Sequence, residues 1–140
     1  MFKCIVFATD GSEHSKKAQV YALEMAKRYE ATLFVVNTYP NISDLLGYKE
    51  YDMLASRRIA ISQDLVDKVL IELAAEGIHA EREVLEGPTA EAILRVAQVR
   101  NAELIIIGAR GRGSLKGLLL GSVTHKVIQH AKCPVLVVRD

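Results

Sequence analysis

Neither sign of charge dominates this chain: 18 lysines and arginines meet 17 aspartates and glutamates, a formal net charge of +1. Without a broadly basic surface there is no general electrostatic case for a nucleic acid or a membrane as partner. No apolar stretch approaches the ~20 residues that span a bilayer. The chain enters a strand by Cys4, so no signal peptide is expected, and the cytoplasm is the expected location. Cysteine is scarce as well. Cys4 and Cys133 each lie in or beside an apolar strand-like run, which predicts two buried reduced thiols, not a disulfide or a metal pair. No Ser/His/Asp or Cys/His spacing suggests covalent catalysis, and no internal repeat or low-complexity segment is found. Half of the 140 residues are apolar, enough for one domain over residues 1–140; a domain of this size buries roughly 68–70% of its unfolded surface.

The most informative stretch is Leu104-Ile105-Ile106-Ile107-Gly108-Ala109-Arg110-Gly111-Arg112-Gly113-Ser114, running on to Gly121-Ser122. Four consecutive aliphatics without polar alternation fit a strand covered on both faces, as in a parallel sheet flanked by helices. Glycines at the end of such a strand let the backbone turn tightly and bring N–H groups close to a ligand. A helix start after them adds free N–H donors and a partial positive charge, which favour an anion. Strand, glycine loop and helix start together describe a phosphate site. Two familiar glycine fingerprints fail here: a dinucleotide G-x-G-x-x-G from Gly111 would need glycine where Lys116 stands, and a P-loop from Gly108 would need lysine where Ser114 stands.

Along the chain, Phe2–Ala8 predicts a first strand and Thr9-Asp10-Gly11-Ser12 a turn, with Ser12 as helix N-cap. In Glu13–Tyr29 the apolar face is expected at Ala18, Tyr21, Ala22, Met25, Ala26 and Tyr29. Thr32–Thr38 predicts a second strand. Asn41–Arg58 reads either as a loop with a short helix or as the early turns of a longer helix. A helix over 59–75 is stopped by Gly77. Ile78–Leu85 is a polar third strand suited to a sheet edge, and Gly87-Pro88-Thr89 opens a third helix. A fourth helix over Val123–Ala131 and a fifth strand over Pro134–Val138 close the chain. The alternation implies a parallel sheet with right-handed crossovers.

The pattern Gly108-x-x-Gly111, nine residues, Gly121-Ser122 resembles the nucleotide-binding signature of the universal stress protein family, in its ATP-binding branch. IVFATDGS at 5–12, GPTAEAILRVA at 87–97 and CPVLVV at 133–138 resemble the family's first strand and turn, third helix and closing strand. The resemblance implies a Rossmann-like α/β domain with strand order 3-2-1-4-5. In that order Asp10, after strand one, and Gly108, after strand four, share the crevice where the sheet reverses.

The resemblance also implies ATP, with Mg2+, as ligand. Gly108 and Gly111 would approach ribose and phosphates, and Gly121, Ser122, Val123 and Thr124 would hold phosphate oxygens. Asp10 would contact the nucleotide near adenine, although the residue alone also suits capping the first helix or ordering its own turn. Thr38 would line the adenine pocket, and Ala8, Thr9 and Ile107 would wall it. Arg110 and Arg112 flank the glycines, where guanidinium forks suit phosphate oxygens, though solvated loop charges read the same way. A homodimer through the Val135–Val138 strand is implied too. The chain departs from the family at His125 and Lys126, where an acidic residue usually follows the serine; this adds positive character to the first helical turn. The expected role is a nucleotide-dependent stress-response switch, not a dedicated enzyme. The alternatives are slow ATP hydrolysis, which needs no dedicated base, and a protein-interaction module without nucleotide. An adenylating pyrophosphatase would carry an S-G-G-x-D-S-type loop where this chain has T-D-G-S, and a dinucleotide-dependent dehydrogenase is disfavoured by the glycine spacing.

Overall fold

The computed structural model describes residues 1–41, 48–111, 117 and 119–139. Its elements run β1 (Cys4–Ala8), α1 (Glu13–Tyr29), β2 (Thr32–Tyr39), α2 (Tyr48–Ala75), β3 (Ala80–Glu86), α3 (Thr89–Val99), β4 (Leu104–Gly108), α4 (Ser122–His130) and β5 (Val135–Val138). The strands form one parallel sheet in the order β3-β2-β1-β4-β5. Central positions are in direct register across three strands, with Val6 opposite Phe34 on one side and Ile105 on the other.

The layering follows from that order and from the hand of the crossovers. From β1 the chain steps outward through β2 to β3, which sets α1 and α2 on one face. It then reverses to β4 and β5, which sets α3 and α4 on the other face. Two cores result. Ile5, Phe7, Leu33, Val35 and Ile106 pack with Ala18, Ala22, Val66, Val69 and Leu73 on the first face. Val6, Phe34, Val36, Ile105 and Ile107 pack with Ile93, Val96, Ala97 and Val127 on the second. Strands β1 and β4 are covered on both sides, which is why their sequences are apolar without alternation.

Ser12 caps α1 as expected, its hydroxyl accepting the Ser15 N–H at 3.2 Å. One inward assignment fails. Tyr21 is 51% exposed, because the buried stripe is Ser15, Ala18, Ala22 and Ala26, and Tyr21 sits about 100° round the helix from Ala22. The ambiguous segment resolves as the second alternative from Tyr48 onward: 48–58 are the first turns of a 28-residue helix. Residues 42–47 lie outside the described residues. Gly77, at φ +79°, ends α2 in a Schellman arrangement, its N–H on Ala74 C=O (2.9 Å) and the Ile78 N–H on Leu73 C=O (3.0 Å). The polar β3 is indeed an edge strand, flanked by ion pairs from Arg82 to Asp67 and from Arg100 to Glu83. Among the described residues no helix is long and apolar enough to cross a membrane.

Cys4 and Cys133 are free and only half-buried, less covered than expected. Desolvation pushes both thiols above their ordinary pKa, and the Glu103 carboxylate adds to the rise at Cys4. Both therefore stay protonated at neutral pH.

Candidate functional site

The carboxyl ends of β1, β2 and β4 and the N-terminal turns of α1, α3 and α4 enclose a cleft of about 800 Å³, with α2 along one flank. It lies at the reversal of strand order, where the loops after β1 and β4 lead away in opposite directions. Of the residues singled out in the sequence, Ala8, Thr9, Asp10, Thr38, Ile107, Gly108, Arg110, Gly111, Gly121, Ser122, Val123 and Thr124 all line it. Arg112 lies outside the described residues, as do 113–116 and 118 of the same loop.

The turn after β1 is held by short polar contacts. The Thr9 hydroxyl donates to Ser15 Oγ (3.1 Å) and accepts the Gly11 N–H (3.2 Å). Asp10 Oδ1 accepts the Ser12 N–H at 2.9 Å, so Asp10 does order its own turn, while Ser12 supplies the helix cap. The second Asp10 oxygen faces Gly111 from the other loop. A Cβ built on Gly111 would stand 2.5 Å from Asp10 Oδ2, so only glycine lets the two loops close to this separation. Gly108 is tight in the same way: a Cβ there would be 3.2 Å from the His14 carbonyl oxygen.

Helix α4 starts one residue earlier than the expected Val123. Gly121 is the N-cap, at an ordinary φ of −72°, and no side chain caps the turn; Ser122 is already the first helical residue. The His125 N–H donates to Gly121 C=O at 3.0 Å, which leaves the N–H groups of Ser122, Val123 and Thr124 as the donors a helix start cannot satisfy internally. All three residues line the cleft. The Thr124 hydroxyl is engaged elsewhere, donating to Gly108 C=O at 2.8 Å, and the Gly121 N–H donates to Ala109 C=O at 2.8 Å. These two bonds pin the start of α4 to the end of β4.

His125 and Lys126 stand in the first turns of α4, outside the cleft. Lys126 turns to α3, with its Nζ 2.6 Å from Glu91 Oε1, and that contact holds the Glu91 carboxyl below the usual carboxylate range. Among the described residues, the cations that line the cleft are Arg110 and Arg58.

Several lining residues were not anticipated: Ser15, Val36, Asn37, Tyr39, Pro40, Arg58, Ile61, Ser62, Leu65, Thr89 and Ile93. Two signals existed for part of this set. Asn37 is a lone amide at the end of an aliphatic run, and Ser62 is a polar residue on the inward stripe Ser62, Val66, Val69, Leu73. The structure pairs them, Ser62 Oγ donating to Asn37 Oδ1 at 2.5 Å, while Asn37 Nδ2 donates to Thr9 C=O at 2.7 Å. The Thr38 and Thr89 hydroxyls share a hydrogen bond of 2.8 Å across the cleft wall.

Chemically, the cleft offers an apolar floor (Ala8, Val36, Ile93, Ile107), an uncapped helix start, a glycine-lined loop and two guanidinium groups. Such a site suits a ligand with one apolar planar end and one anionic end. Among the described residues no cluster of three metal-ligating side chains occurs.

Known proteins share this fold. A universal stress protein of Thermus aquaticus is 40% identical over 141 residues, covering 99% of this chain and all of the relative. The universal stress protein UspA of Lactobacillus plantarum has the same fold, with a TM-score of 0.87 at 24% identity over 99% of this chain and 98% of that one. A universal stress protein in complex with cAMP superposes with a TM-score of 0.75 at 23% identity, over 98% of this chain and 97% of that one. The model of the universal stress protein family matches residues 1–139. With its five-stranded parallel sheet, its reversal-point cleft and these relatives, the chain belongs to the universal stress protein family.

Proposed function

We propose that this chain binds ATP in the reversal-point cleft and acts as a nucleotide-dependent switch in the stress response. The observation that carries the reading is the uncapped start of α4 beside the Gly108–Gly111 turn, in a cleft large enough for a nucleotide. Phosphate oxygens lie against the first-turn N–H groups of α4 and the Arg110 guanidinium. The base lies at the other end, against Ala8, Val36 and Thr38. The cAMP bound by a structural relative supports an adenine nucleotide in this fold. Mg2+ enters on the phosphates, which suits a cation that binds through few protein carboxylates. Residues 1–140 work as one nucleotide-binding domain in the cytoplasm, without dedicated catalytic machinery; hydrolysis of bound ATP is slow at most.

The deciding experiment is to denature purified protein, identify released small molecules by mass spectrometry, and titrate ATP into stripped protein. ATP or ADP at near one per chain, with saturable rebinding, is the expected result. Protein that is empty and has no affinity for ATP refutes the reading and leaves a protein-interaction module as the function.

The assembly is a homodimer. Strand β5 ends the sheet, and Val135, Leu136 and Val137 are only half-buried, so an apolar edge is open to antiparallel pairing with a second copy. Sedimentation equilibrium is expected to give twice the chain mass, and Val137→Lys to shift it to one chain mass. A monomeric parent chain disproves this assembly.

A further inference from the structure

The backbone of β2 alternates in a way that singles out Thr38. The Thr32 N–H donates to Lys3 C=O, and Val36 C=O accepts the Thr9 N–H, so the even-numbered residues of β2 direct their peptide groups toward β1. The Leu33 N–H donates to His79 C=O, and Tyr39 C=O accepts the Gly87 N–H, so the odd-numbered ones face β3. Thr38 is the next residue facing β1, but the ladder with β1 ends at Ala8 opposite Val36. The acceptor that continued pairing would offer the Thr38 N–H is Thr9 C=O. That oxygen is taken instead by Asn37 Nδ2 at 2.7 Å. The donor that would meet Thr38 C=O is the Gly11 N–H, and it turns to the Thr9 hydroxyl at 3.2 Å. Among the described residues, neither peptide group of Thr38 has a partner in the β1 turn.

We infer that Asn37, locked by Ser62, is a positioning residue: its amide replaces the Thr38 N–H on Thr9 C=O and so holds the Thr38 peptide groups open to the base of the bound nucleotide. Ser62 is 3% exposed and donates to Asn37 Oδ1, which fixes the amide with its NH2 toward Thr9. The side chains of consecutive strand residues point to opposite faces. Asn37 can therefore be clamped from α2 while the Thr38 hydroxyl meets Thr89 of α3. What the clamp leaves exposed is one donor and one acceptor side by side on a strand edge. This matches a base edge carrying an acceptor nitrogen beside an exocyclic amine, as in a 6-aminopurine. The inference rests on the nucleotide reading for its ligand, but its structural half does not.

Two measurements separate the halves. In ligand-free protein, hydrogen exchange followed by NMR is expected to show the Thr38 amide exchanging at least tenfold faster than that of Val36. It is expected to slow in Asn37→Asp, where the Thr38 N–H regains Thr9 C=O. A Thr38 amide as protected as that of Val36 in the parent protein overturns the inference, whether or not any nucleotide binds. The second measurement is calorimetric titration of ATP and of tripolyphosphate into the parent, Asn37→Asp and Ser62→Ala. The expected result is ATP binding weakened about tenfold or more in Asn37→Asp and less in Ser62→Ala, with tripolyphosphate affinity unchanged. Equal loss for both ligands means added charge or a general structural defect, and no loss for ATP means an idle amide; either overturns the positioning role. Failure of the parent protein to bind ATP at all sinks the functional reading, while the exchange result still decides the strand-edge arrangement.

Discussion

Gly111→Ala is expected to weaken ATP binding by at least tenfold, about 1.4 kcal/mol, while leaving the melting temperature nearly unchanged. The added methyl carbon would stand 2.5 Å from Asp10 Oδ2, closer than a non-bonded carbon and oxygen can pack. The carboxylate cannot simply rotate away without loss, because its other oxygen accepts the Ser12 N–H in the turn that starts α1. One of the two loops must therefore move. Either displacement changes the spacing between the turn after β1 and the glycine loop, which is the spacing that fits a ligand between them. The core is untouched, since Gly111 lies in a loop outside both apolar clusters. Calorimetric titration and thermal denaturation of the same preparation check the two halves. Unaltered affinity in the variant would show that the contact between the loops plays no part in binding.

For stability, the largest single effect is expected from Phe7→Ala. Phe7 is fully buried in β1, in the cluster with the α1 alanines at 18, 22 and 26. It pairs with Val35 on one side and Ile106 on the other. Those helix positions carry only methyl groups, so their side chains have almost no reach to fill the space a lost ring would leave. A deletion of this kind costs roughly 3–5 kcal/mol, transfer and cavity terms together. Domains of ordinary stability hold only about 5–15 kcal/mol in total, so the variant should lie near the edge of folding. Denaturant titration is expected to show that loss at an unchanged slope, and a fall in melting temperature of roughly 10–20 °C. A loss under about 1.5 kcal/mol would mean that the sheet and α1 collapse into the void, against the close packing on which the estimate rests.

The sequence already carried the parts of this protein that depend on short-range patterning. The unbroken aliphatic runs at 5–8 and 104–107 implied strands covered on both sides, and both are buried at the middle of the sheet. The cap at Ser12 and the stop at Gly77 could be read because capping chemistry acts over three or four residues. The glycine spacing after β4 marked the loop for the same reason. Expectation and structure part where a side chain's partner is distant in sequence. Tyr21 is apolar enough for an inward face, yet three alanines define that face because α1 needs small residues to sit close on the sheet. Ser122 has the chemistry of a cap, but the bonds from Thr124 to Gly108 and from Gly121 to Ala109 draw the helix start one residue toward the N-terminus. Lys126 pairs with Glu91, a partner 35 residues away in sequence that no local pattern reveals.

What the sequence determined by itself, then, is the succession of strands and helices, the family resemblance and the two loops that face each other at the sheet's reversal. The succession and the loops themselves depend on periodicity, turn chemistry and glycine, all local properties; that the two loops face each other follows from the strand order that the resemblance implied. Only the tertiary structure decided which peptide groups are free at that reversal. The Thr9 carbonyl meets an amide 28 residues away in sequence, and that amide is oriented by a serine a further 25 residues along. Hydrogen-bond competition of this kind is settled by where β1, β2 and α2 come together, and no pattern within one segment encodes it.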